Sequence, residues 1–268
     1  MLEHRSNPGR ARLLPAALPA RPASARRSRA WAWPLVLIAA ACGAAAAEQS
    51  VSLSKVAATK DVVAEEKCAE APVHVTTATS NERRLVCSAA ESAVRLLGRC
   101  DIAPRRSFRV QITNEIRHPF GDAIFGYFDA KHERVLVRPH ENFWSLAQGT
   151  PFGELPQHEI YKSIIVHEIV HAVVHQNMKR PATSQAAYEY SAYALQIETL
   201  PPDVRSAFLR LVADRGNGSE FLFNDIVLQA DPFFFAARVY AHFKASPDGC
   251  AHLRALLEGD AAFILATR

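Results

Sequence analysis

The chain has 268 residues, 49% of them hydrophobic and 22% charged, a composition suited to one globular domain plus a leader and unlike a disordered or fibrous chain. Its net charge of +4 is uneven: residues 1–30 hold seven Arg and one acid, so the leader carries +6 and the rest of the chain −2. That near-neutral remainder shows no basic stripe with interleaved aromatics, which argues against nucleic acid as a partner.

Residues 1–47 read as an export leader. A basic stretch ends at Arg29, an apolar run from Ala30 to Ala41 follows, and Ala45-Ala46-Ala47 offers a cleavage site after Ala47. The expected location is therefore periplasmic or secreted. An uncleaved leader acting as a membrane tether, a lipid-modified Cys42 and a twin-arginine signal at Arg26-Arg27 are the alternatives. Without Cys42, four cysteines remain: Cys68, Cys87, Cys100 and Cys250. In an oxidising compartment they should form two disulfides, with all three pairings open. None of them has C-x-x-C spacing, so a cysteine zinc site is not expected.

Residues 48–70 look like a flexible tether, and 71–268 like a single domain. Residues 72–77 read as a strand. A helix is expected over 80–98, capped near Ser80, with Leu85, Ala89, Ala93, Leu96 and Leu97 at helical spacing. Residues 108–112 alternate like a strand, and 124–137 read as a hairpin turning at 129–133. From Pro156 the pattern is helical: 156–177, 184–199, 203–213, 232–244 and 247–258. The fold class expected is α+β, with a small strand and hairpin region packed on a mainly helical C-terminal half.

The helix over 156–177 contains His167-Glu168-Ile169-Val170-His171. Residues four apart lie one turn apart on the same helix face, so both imidazoles can aim at one point. Zinc takes neutral imidazole in a tetrahedral shell, and the Glu inside such a motif serves as general base toward water that the metal has acidified. The flanking Ile and Val residues should bury the helix. A catalytic zinc usually has three protein ligands. His175 is two turns from His167 and poorly placed for ligation. Glu189, 18 residues past His171 on the next helix, is the better candidate, with Glu198 in reserve. The expected site is His167, His171 and Glu189 as zinc ligands and Glu168 as catalytic base.

His167-Glu168-x-x-His171 followed by Glu189-x-x-Ala192 resembles the gluzincin metallopeptidases, the thermolysin-like clan, over about residues 108–200. The resemblance implies a third ligand on the helix after the motif. It also implies that the edge of the 124–137 hairpin receives an extended peptide. Ala192 stands where several relatives carry the acid that orients the first histidine, which leaves that role unassigned. Tyr190, Tyr193 and His242 are the candidates for stabilising an oxyanion. The expected function is an exported zinc peptidase acting on peptide or protein. The rival readings are a zinc hydrolase of another substrate, such as a cell-wall cross-link, and a non-catalytic zinc-stabilised binding module.

Overall fold

The computed structural model describes residues 65–77, 79–116, 124–180, 184–213 and 223–259. The expected leader and most of the expected tether lie outside these. Five strands come first: β1 (Glu65–Lys67), β2 (Val73–Thr76), β3 (Phe108–Ile112), β4 (Gly126–Asp129) and β5 (Arg134–Val137). Helix α1 (Ser80–Gly98) lies between β2 and β3. After the strands come α2 (His140–Ala147), a short 3-10 helix (Pro151–Glu154), α3 (Gln157–Asn177), α4 (Gln185–Thr199), α5 (Pro202–Ala213), α6 (Asp225–Ala230), α7 (Pro232–Ala245) and α8 (Gly249–Glu258). This is the α+β architecture expected.

The strands form one sheet in the order β1-β2-β3-β5-β4. The outer pairs are antiparallel, while β2–β3 and β3–β5 run parallel. Strand register explains which face is buried. Val75, Val110, Val135 and Phe128 line up across four strands, and Val73 pairs with Phe108 in the next row. All six are buried. Period-2 alternation thus turns one face of the sheet toward α1 and α3.

Two expectations need correction. Residues 65–70 were assigned to the tether, but Glu65–Lys67 pair with β2 as an edge strand and Cys68 is buried. All three residues of β1 are exposed and charged, so no apolar alternation marks the strand. The cap of α1 is Thr79, not Ser80: its hydroxyl oxygen accepts from the Glu82 backbone N–H while the hydroxyl donates to the Glu82 carboxylate. Helices α2 and α6 were not anticipated, being only 8 and 6 residues long.

Helix α3 is the centre of the molecule. It packs on α1, α4, β4 and β5, and it is buried continuously from Ser163 to Val174. A helix apolar nearly all round must be enclosed by other elements. Helix α4 runs antiparallel to it, because Gln196 reaches Ser163 and His167 while Tyr188 reaches His171. Two disulfides close the fold. Cys68–Cys87 pins the approach to β2 onto α1, and Cys100–Cys250 joins the end of α1 to α8. They are compatible with an oxidising, extracellular compartment. No described helix is long and apolar enough to cross a membrane.

Candidate metal centre

His167 and His171 project from the middle of α3, and both are buried despite being polar. Their Nε2 atoms lie 3.1 Å apart. Glu189, on the second turn of α4, brings its Oε2 to 3.1 Å from His167 Nε2 and 3.5 Å from His171 Nε2. The three expected ligands therefore meet at one point. The triangle can be tested against a metal ion. Bonds of about 2.1 Å in a tetrahedral shell put neighbouring ligand atoms about 3.4 Å apart, close to all three edges. Two neutral imidazoles gain nothing by turning nitrogen lone pairs toward each other, but they do so readily around a cation. Among the described residues this is the group of His, Cys, Asp and Glu side chains that could hold a metal.

The orientation of His167 follows from a chain of hydrogen bonds. The buried Ser163 hydroxyl donates to the Ile160 carbonyl, so its oxygen is left to accept from Gln196 Nε2. The amide of Gln196 therefore presents Oε1 to His167 Nδ1, at 2.9 Å. Nδ1 must carry the proton, which leaves the Nε2 lone pair facing Glu189 and His171, where it could bind a metal. Gln196 thus fills the role that Ala192 left unassigned. Sequence reasoning missed it, although it lies seven residues past Glu189, two turns along the same face. Gln196→Ala is expected to weaken metal affinity about 10- to 100-fold in a chelator competition, with Gln196→Glu retaining it. Equal affinities in all three chains would remove Gln196 from the site.

His171 is held differently. Its Nδ1 is buried with no partner among the described residues. Its ring stacks on Tyr188 at 4.3 Å between centroids, and the Tyr188 hydroxyl donates to the His171 carbonyl. Tyr188 thus fixes both the ring and the backbone of this ligand.

Electrostatics separate the two carboxyl groups. Burial pushes Glu189 up, but His171 and His167 outweigh it and hold the carboxyl well below its ordinary range. Burial also pushes Glu168 up, and here the rise survives: His167, His171 and the Phe128 backbone N–H oppose it only in part, and Glu189 adds to it. His167 is raised; burial works downward, but Glu189 and Glu168 prevail.

Glu168 lies against the edge strand β4. Gly126 occupies an inward position there, opposite Val137. A Cβ at 126 would come within 2.7 Å of Glu168 Cγ and 2.9 Å of its Oε1. Glycine is what lets the carboxylate and the strand approach so closely. The whole assembly lines a cleft of about 460 Å³, walled by Phe125, Tyr127, Phe152, Tyr193 and Phe233 in addition to the metal-site residues.

The other candidates separate cleanly. His175 packs on Phe128, one turn beyond the ligands, and takes no part in the triangle. Glu198 bonds Arg205 and Tyr240 and lies near Lys244. Tyr190 bonds His242, and neither lines the cleft. Tyr193 does line it, with its ring edge-on to His167 at 4.7 Å between centroids.

A family model described as a family of unknown function, DUF6639, matches residues 73–266. No curated protein and no solved structure matches the chain.

Proposed function

The chain belongs to the DUF6639 family, whose function is unknown, and from that premise we propose that it is an exported zinc-dependent peptidase. The observation that carries the reading is the convergence of His167, His171 and Glu189 on one point, with Glu168 beside it under the edge of β4. Two imidazoles and a carboxylate are a donor set characteristic of catalytic zinc sites. Zinc held there supplies a Lewis acid that acidifies water and polarises a carbonyl.

The rest of the mechanism belongs to the chain's own residues. Glu168 accepts a proton from water and returns it to the leaving amine, a role its position in the cleft beside the two histidines allows. Strand β4 is at the edge of the sheet, so an extended peptide can add to it and lie across the cleft, as the resemblance to gluzincins implies. Phe125, Phe152 and Phe233 supply apolar walls for side chains and exclude water from the centre. Of the three residues expected to stabilise an oxyanion, Tyr190, Tyr193 and His242, Tyr193 is the one that lines the cleft. Export accords with the two disulfides.

The test is elemental analysis of the purified chain beside a peptide-library cleavage assay. About one zinc per chain is expected, lost in both His171→Ala and Glu189→Ala together with cleavage. A parent that binds no zinc after reconstitution would end this reading.

A further inference from the structure

A second groove, of about 510 Å³, adjoins the metal cleft. Phe128, Gln185 and Tyr188 line both, so the two are continuous. The second lies past the C-terminal end of β4, at Ala130, and is closed on the far side by His175, Met178, Lys179 and Arg180. Its charge among the described residues is one-sided: both fully charged lining residues are basic and no described acid lines it. Lys179 is partly neutralised by Glu258 of α8. Arg180 is exposed, its stem lies against Gly259, and it has no ion-pair partner among the described residues. Arg106, behind His175, is ion-paired with Glu133, so Lys179 and Arg180 carry the groove's charge.

We infer that this groove is a specificity subsite for an acidic side chain of an extended peptide, with Arg180 as its selecting cation. The inference rests on the peptidase reading, because it takes the peptide to lie along β4. A chain on that edge that continues past Asp129 enters the groove within a few residues of the metal centre. An Asp or Glu side chain there meets a planar guanidinium with five N–H donors, free to make a paired contact with a carboxylate. The apolar floor of Phe128, Met178 and Tyr188 accepts the methylene stem of such a residue. A Lys or Arg in the same position would face like charge.

Binding separates this inference from the hydrolase reading. The zinc-loaded full chain carrying Glu168→Gln is titrated with a positional set of short extended peptides, each Glu-containing member matched with its Gln counterpart. At one position the Glu peptide should bind about tenfold tighter, and the difference should shrink as ionic strength rises. Arg180→Gln, which keeps the aliphatic stem on Gly259, should abolish the difference. Arg180→Glu should reverse it in favour of a Lys peptide. No Glu preference at any position, no peptide binding at all, or a preference unchanged in both Arg180 variants would overturn the subsite. Acid-selective binding that depends on Arg180, in a parent chain that cleaves nothing, would uphold the subsite and sink the peptidase.

Discussion

Glu168→Gln is expected to keep the parent's zinc content and to lose about 10²–10⁴-fold in turnover of a cleaved peptide, the range typical for removing a general base. The amide fills the same space between α3 and β4, so the fold has no reason to change. It can neither take nor return a proton. A Glu168→Gln chain that cleaves at the parent rate would show that the base is elsewhere. Gly126→Ala probes the same group by geometry. The new methyl would stand 2.7 Å from Glu168 Cγ, so either the carboxylate or the strand must shift. A displacement near 1 Å at a reacting group costs about 10²-fold. Zinc content should remain at the parent value, because none of the three ligands touches position 126. Wild-type turnover in Gly126→Ala would mean that the close approach of β4 to Glu168 has no role in the chemistry.

Removing Cys100–Cys250 by a double Ser substitution is expected to be the most destabilising single cross-link change. The bridge joins residues 150 apart, and the chain-entropy argument assigns a loop of that length about 5 kcal/mol. Cys68–Cys87 closes a span of 19 and the same argument assigns it about 3 kcal/mol. The order of the two effects is read from urea unfolding midpoints with metal held constant. A larger loss from the shorter loop would refute the entropic account and point to strain or packing at Cys68. The longer bridge also has a route to the groove proposed for substrate. It anchors the start of α8, whose other end receives the Lys179 backbone N–H at Leu257 and pairs Glu258 with Lys179. Loss of the bridge should therefore loosen the groove's basic wall.

The comparison of sequence and structure follows the range of the interactions involved. Helices α3, α4, α5, α7 and α8 lie within two residues of their expected limits, because Pro and polar boundaries and 3.6-residue spacing are local signals. The hairpin is present, with its first strand beginning two residues later than expected, at Gly126. Short helices gave no such signal: α2 buries only Phe143 and Ala147, and α6 buries only Leu228. Strand β1 is held by pairing with β2 and by the neighbouring disulfide, neither of which alters its own charged composition.

The metal centre divides along the same line. His167, Glu168 and His171 share one helix, so four-residue spacing alone makes them a constellation. Glu189 required only one added assumption, an antiparallel helix next in sequence. Gln196, Tyr188 and Gly126 required the assembled molecule. Each is an unremarkable residue type whose role comes from what lies across from it: an imidazole nitrogen, a histidine ring, a carboxylate. The sequence by itself therefore determined the helices and brought His167, Glu168, His171 and Glu189 forward as candidates, since these depend on periodicity within an element and on one antiparallel pairing of consecutive helices. Tertiary structure alone decided the sheet order, the disulfide pairing, the partner of His167 and the basic groove beside the cleft. Those depend on contacts between residues far apart in the chain, such as Cys100 with Cys250 and Ser163 with Gln196, and local composition carries no record of them.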